Sequence, residues 1–168
     1  MQETTLPTLR RAVPASPRIG TLLRALAMLA ALGALPSHAL DAVVPDVDLT
    51  RLPPAAATAG EENPYRGGPA AIEVGRSAYA QACASCHGAE ASQPGPAADL
   101  RRIGGYCRRI ADASLRSRCT RDADAHFSES VRAGSVRLGI RHMPAWQDRI
   151  PAPLAWAIQA YVESRRQQ

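Results

Sequence analysis

The sequence predicts an all-α fold on three observations. Four stretches beyond Pro69 read as helices, no stretch alternates apolar and polar residues convincingly enough for a sheet, and Gly and Pro cluster in the segments between the helices. The chain has 168 residues, enough for one small domain once a targeting segment is set aside. Its hydrophobic fraction of 46% is carried largely by Ala, with aromatic residues at only 4%, so a core built from the polypeptide alone would be thin.

Residues 1–24 are polar and basic, Ala25–Leu35 is an apolar run, and Pro36-Ser37-His38-Ala39 supplies small residues. That order is expected of a signal peptide, 1–39, cut after Ala39, and places the mature protein outside the cytoplasm, in the periplasm. The apolar run is well short of the roughly 20 residues that span a bilayer. Arg10-Arg11 lies far from it with Pro14 and Pro17 between, which favours the general secretory route over a twin-arginine one. No Cys stands near the cut, so no lipid anchor is expected.

Residues 40–68 are rich in Ala, Pro and acids, with breaks at Pro45, Pro53-Pro54 and Pro64, and are expected to form an extended arm without a helix of its own. A compact helical domain is expected over 69–168. Ile72–Ala82 is its first helix, with Val74, Ala78 and Tyr79 along one stripe. Gly75 on that helix would let another helix approach closely. A loop follows from Gly88 to about Gly105. Arg108–Leu115 and Asp122–Ala133 are expected as two shorter helices, the second stopped by Gly134, with Gly139–Ile150 as a further loop. In the last helix, Ala152–Arg166, Leu154, Ala157, Ile158, Tyr161 and Val162 keep helical spacing, and Arg165-Arg166 suits its negative end.

Cys83-Ala84-Ser85-Cys86-His87 is a Cys-x-x-Cys-His haem-attachment pattern. Two intervening residues let both sulfurs reach the two vinyl groups of one porphyrin as thioethers, and the adjacent His then falls under the iron. A thioredoxin-like site would need a βαβ context, and a zinc site a second pair nearby; neither is present in the sequence. One covalent haem c would also supply the apolar mass that the composition lacks. For the sixth ligand, Met143 is the one methionine left after the expected cleavage, and Pro144 follows it in a loop before the last helix. A thioether there would give His/Met ligation, which raises the reduction potential. His142 and His126 compete for that role, and a lone Met can simply fill an apolar gap. Cys107 and Cys119 remain. In an oxidising compartment they most simply pair with each other, the alternative being two free thiols.

With these pieces in place, residues 69–168 resemble a class I c-type cytochrome, with first helix, haem motif, Met-Pro loop and last helix in that order. The chain is similar, more narrowly, to the small periplasmic cytochromes that accept electrons from pyrroloquinoline-quinone (PQQ) alcohol dehydrogenases. That likeness rests on Asn63-Pro64-Tyr65-Arg66-Gly67, Ala97-Ala98-Asp99-Leu100-Arg101, the Cys107/Cys119 pair, Ser130-Val131-Arg132, Met143-Pro144 and Trp156-Ala157-Ile158. The resemblance implies a class I cytochrome c fold and ligand roles for Cys83, Cys86, His87 and Met143. The family places a Pro two residues before the Leu, where a backbone carbonyl accepts from the proximal His ring. Here that residue is Ala98, the nearest Pro is Pro96, and the acceptor is left open.

The implied function is a mono-haem electron carrier, not an enzyme. Its donor would be a PQQ-dependent alcohol dehydrogenase and its acceptor a downstream cytochrome or terminal oxidase of the respiratory chain. A peroxidase-like haem enzyme and a haem-based ligand sensor are the alternatives, and both need a displaceable sixth ligand. Nucleic acid and anionic membranes are poor partners despite a net charge of +5. Residues 1–39 hold four Arg against Glu3, which leaves 16 Arg against 14 acids beyond, and two haem propionates bring that close to balance. Residues 101–121 nevertheless carry seven Arg against Asp112, a basic stretch including Arg108 and Arg109 that could steer an acidic partner.

Overall fold

The computed structural model describes residues 42–54, 62–91 and 97–167. The expected signal peptide, part of the arm and the Pro94–Pro96 stretch lie outside these residues. The described fold is mostly helical, with a small two-stranded sheet.

Helix α1 runs Pro69–Ala82. Pro69 starts it because its fixed φ suits a first helical position and its missing N–H would have found no partner there. Ala71, Val74, Gly75, Ala78 and Tyr79 form the buried stripe, at the three- and four-residue spacing of one helix face. At Cys83 the chain bends into the single turn α2, Ala84–His87.

The last helix, α4, runs Ala152–Ser164 and continues as a 3-10 turn, Arg165–Gln167. It is buried on nearly every side from Trp156 to Val162. The most extensive helix–helix packing of the fold joins it to α1. At their crossing a Cβ on Gly75 would stand 1.9 Å from the Ala157 carbonyl oxygen, so the two backbones meet where a side chain is missing. Beside the crossing the rings of Tyr79 and Tyr161 lie 5.3 Å apart at 51°. Full burial of such side chains contributes about 1.5–3 kcal/mol each, which makes this crossing the centre of the core.

Between these helices the structure departs from the expectation of two short helices over Arg108–Leu115 and Asp122–Ala133. Cys107–Arg109 is a 3-10 turn, and one helix, α3, spans Ala113–Ala133. Asp112 caps it, its carboxylate accepting from the Leu115 N–H at 2.8 Å. No Gly or Pro interrupts 113–133, but the first half of α3 faces solvent and shows no apolar stripe, so periodicity hid it. Cys107 and Cys119 form a disulfide with their Cα atoms 5.6 Å apart, which ties the 3-10 turn to α3. A loop of this length stabilises a fold by about 3 kcal/mol on the chain-entropy model.

The all-α expectation and the loop expected over Gly139–Ile150 are also corrected by a hairpin. Strand β1, Ser135–Arg137, pairs antiparallel with β2, Ile140–Met143. Leu138 (φ 52°) and Gly139 (φ 76°) close it, both in the left-handed region that a tight two-residue hairpin turn requires. Val136, Leu138 and Ile140 are exposed, so neither face shows the apolar-in, polar-out alternation by which strands are recognised.

The described residues of the arm, 42–54 and 62–68, hold no α-helix; they include a 3-10 turn at Leu49–Arg51 and a turn over 64–67. The Asp46 N–H donates to Gln81 Oε1 at 2.9 Å, and Gln81 Nε2 donates back to the Asp46 carbonyl at 3.1 Å, fastening the arm to the end of α1. Farther on, Asn63 is buried. It donates through Nδ2 to the Trp156 carbonyl and Gln159 Oε1, each at 3.0 Å, and through its N–H to Asp124 Oδ2 at 3.1 Å. Gln159 Nε2 donates to the other Asp124 oxygen, which Arg66 also engages. A carboxylate with no exposure is thereby satisfied on both oxygens, as burial of a charge demands.

The crossing of α1 and α4 yields the first prediction. In Gly75→Ala a methyl group would meet backbone, which no rotamer change can relieve, so the helices must part. Urea unfolding should show a loss of about 3 kcal/mol, the upper range for overpacking.

Candidate haem site

The end of α1, the turn α2, the end of β2 and the arm together line one cleft of ≈ 330 Å³. Cys83, Cys86, His87 and Met143 all border it, joined by His142, Pro144, Trp146, Ala42 and Val43. The four residues expected at the site are thus brought together, although 56 positions separate His87 from Met143. His126, the third competitor for the sixth position, is exposed on α3 and does not border the cleft.

Helical geometry accounts for the grouping of the first three. Cys83 is the residue at which α1 ends, and its N–H still donates to the Tyr79 carbonyl at 2.9 Å. Cys86 and His87 follow within α2, whose N–H groups donate back to the Cys83 carbonyl at 3.2 and 2.9 Å. Gly88 ends the turn at φ 88°, and its carbonyl accepts from the Tyr79 hydroxyl at 2.9 Å. The core aromatic at the helix crossing therefore also holds the chain leaving the motif.

Neither motif cysteine is disulfide-bonded, in contrast to the Cys107–Cys119 pair. Burial, with a smaller contribution from neighbouring Cys86, pushes the Cys83 thiol up to about 12. A redox Cys-x-x-Cys works through a cysteine with a lowered pKa, so this environment is the opposite of a thiol–disulfide site. Among the described residues no group of three or more His, Cys, Asp or Glu is arranged to hold a metal ion by itself.

His87 Nδ1 lies 2.8 Å from the Ala98 carbonyl oxygen. A carbonyl only accepts, so in the neutral ring the proton sits on Nδ1 and the lone pair is left on Nε2. This answers the question left by the missing Pro: Ala98 occupies the position, and its backbone carbonyl supplies the acceptor. Asp99 holds the segment, its carboxylate accepting from the Arg101 N–H at 3.1 Å at the start of the turn Leu100–Arg102.

Met143 is half-buried against the core, and Gly134 helps place it. Gly134 takes φ 70°, and a Cβ there would lie 2.5 Å from the Met143 carbonyl oxygen. Just beyond, the Trp146 N–H donates to the Val131 carbonyl at 3.0 Å, binding the Met-Pro segment to the end of α3. Sequence reasoning missed the roles of Trp146 and of Ala42 and Val43 at this cleft. A Trp three residues after Met143, in a chain with only two, was a usable signal for the first; the arm residues offered none. The basic stretch 101–121 does not border the cleft: Arg101 pairs with Asp99, Arg121 with Glu62, and Arg108 lines a separate cavity.

Two thiols at one helix end, an imidazole with a fixed bare nitrogen and a thioether on one apolar cleft fit a covalently attached haem, and they define a c-type cytochrome. The comparisons agree. The family model described as cytochrome c oxidase, cbb3-type, subunit III matches residues 70–162. Cytochrome c550 of Pseudomonas aeruginosa is 38% identical over 150 residues, which cover 85% of this chain and 93% of that protein. No solved structure matches the chain. The chain belongs to this family of c-type cytochromes: it is a mono-haem electron carrier and not an enzyme, and its cofactor is a covalently bound haem c with its iron. Among the described residues no helix is long and apolar enough to cross a membrane.

Covalent attachment survives unfolding, because thioethers do not depend on the fold. Mass spectrometry of acid-denatured protein should show the polypeptide plus one haem, and Cys83→Ala/Cys86→Ala should reduce it to the bare polypeptide.

Proposed function

We propose that this cytochrome works in the periplasm, taking electrons from a PQQ-dependent alcohol dehydrogenase and passing them to a downstream cytochrome or terminal oxidase. On this reading residues 1–39 are the export signal, 40–68 an arm and 69–168 the cytochrome domain. Cys83 and Cys86 form the thioethers, and His87 and Met143 are the axial ligands.

The ligand assignment rests on one observation above the others: His87, with Nδ1 engaged by the Ala98 carbonyl at 2.8 Å, shares its cleft with Met143. When bound, the haem supplies reversible one-electron exchange at its iron. The chain's own contribution is placement and exclusion. The Ala98 carbonyl keeps the imidazole in one tautomer and orientation and raises its basicity. Gly134 and the Trp146 tie set the backbone that carries the Met143 thioether. Half-buried apolar residues, Ala42, Ala82, Pro144 and buried Trp146 among them, wall part of the cleft, and a thioether ligand raises the potential.

The donor assignment is supported by the likeness in Asn63–Gly67, Ala97–Arg101 and Trp156–Ile158. Two of these segments meet in the buried network of Asn63, Asp124 and Gln159, and the third carries the carbonyl facing His87. Export is supported by the run Ala25–Leu35 with its small-residue exit and by a disulfide, which persists in an oxidising compartment.

Two measurements test these readings separately. Replacing the proposed ligand in Met143→Ala should lower the reduction potential and let carbon monoxide or azide bind; an unchanged spectrum and potential would return the sixth position to His142. For the donor, the purified oxidised holoprotein should be reduced by a quinoprotein alcohol dehydrogenase supplied with its alcohol. Reduction by dithionite but by no such dehydrogenase would overturn the donor and leave the carrier intact.

A further inference from the structure

A second cavity, ≈ 340 Å³, shares no lining residue with the haem cleft. Three arginines from distant parts of the chain line it: Arg66 before α1, Arg108 in the turn tied down by the disulfide, and Arg166 beyond α4. Glu163 is the one acid in its wall.

The hydrogen bonds show that this acid is already taken. Glu163 accepts from Arg66 Nε and Nη2 at 2.8 and 3.0 Å, and only at 3.4 Å from Arg166 Nη2. Asp124 engages Arg66 from behind the wall. Arg108 has no acid within ion-pair distance among the described residues. Three guanidinium groups therefore face one carboxylate in the wall, Glu163, which is engaged more closely by Arg66 than by Arg166. Arg166 is the telling member, for its side chain is only 8% exposed and its Nε is buried without a hydrogen-bond partner. A buried charge so weakly paired is costly, so the Arg166 guanidinium, which lines the cavity, gains from an acceptor placed there. Burial first, then the neighbouring Arg108 and Arg66 charges, hold the Arg166 guanidinium below its ordinary pKa, although Glu163 works the other way.

We propose that this cavity binds a small oxyanion with two or more anionic oxygens, an inorganic phosphate or a short dicarboxylate, held between Arg166 and Arg108. Arg166 and Arg108 would donate through the guanidinium N–H groups that reach the cavity, while Arg66 stays engaged with Asp124 and Glu163 and adds charge. The volume equals about ten water molecules, so the anion enters with part of its hydration. Because its walls come from the segment before α1, the disulfide-tied turn, α3 and the end of α4, occupancy would lock these parts together without touching the haem cleft.

Calorimetric titration of the holoprotein with inorganic phosphate, at ionic strength matched with chloride, tests this. Saturable one-to-one binding is expected. Arg108→Gln, which removes an exposed side chain without an ion partner, should weaken it by about 10-fold, the size of a charge-assisted hydrogen bond, and leave the haem spectrum unchanged. Arg137→Gln on the hairpin should not weaken it. A parallel titration with malonate separates the two ligand types: competition with phosphate marks one site for both, and saturation by one alone names that one. Heat that never saturates with either anion would overturn the site, as would equal weakening by Arg137→Gln, which would reduce the effect to overall charge.

Discussion

Everything described here hangs on the contact between Gly75 of α1 and the Ala157 backbone of α4. With no Cβ on one side and a carbonyl on the other, the helices meet at backbone distance, and large residues flank the meeting point: Val74 and Tyr79 on α1, Ile158 and Tyr161 on α4. Aromatic side chains are scarce in this chain, and two of its four tyrosines are spent on this one junction. Close approach substitutes for bulk. Its reach extends to the site, because the helix pinned by Gly75 carries the cysteine motif at its far end, and Tyr79 bonds the Gly88 carbonyl just past His87.

Asp124 plays the corresponding part for the polar structure. It joins Asn63 and Arg66 from the arm to Gln159 on α4, and it does so with its carboxylate wholly out of water. Removing one partner from a buried set of this kind typically costs about 3–5 kcal/mol, since the rest are left uncompensated. The segment called an arm from its prolines therefore contributes Asn63 and Tyr65 to the buried interior. Arg66 in turn occupies Glu163, and that engagement leaves Arg166 short of an acceptor. The buried network and the arginine-lined cavity share one charge balance.

What could be read in the sequence follows from how local each cause is. That Cys83, Cys86 and His87 share one cleft was legible, because the motif sets them on consecutive turns at the end of one helix. Elimination pointed to Met143, the one methionine beyond the expected cut, and the structure places it on that cleft. Helices α1 and α4 announce themselves because each buries a stripe. Helix α3 does not, for its first half is a solvated, arginine-rich surface, and its true start is set by Asp112, a cap and not a stripe. The hairpin escaped because Val136 and Ile140 lie on no buried face and a Leu occupies a left-handed turn position where Asn, Asp or Gly is usual. The network around Asp124 joins residues up to 96 positions apart, and no pattern in a single chain reports such a meeting.

The bond between His87 and Ala98 has a consequence for how this site can vary. The acceptor is a main-chain carbonyl, a group that every residue type possesses, so no exchange of side chain at that position can delete it. A site that relies on a side-chain acceptor is one substitution away from losing it. Here damage has to come through the shape of the segment, by a shift in length near Ala97 or by loss of the Asp99 turn that follows. The chain has traded vulnerability to single replacements for vulnerability to insertions and deletions, and the family's proline at this position is an aid to shape whose absence the carbonyl tolerates.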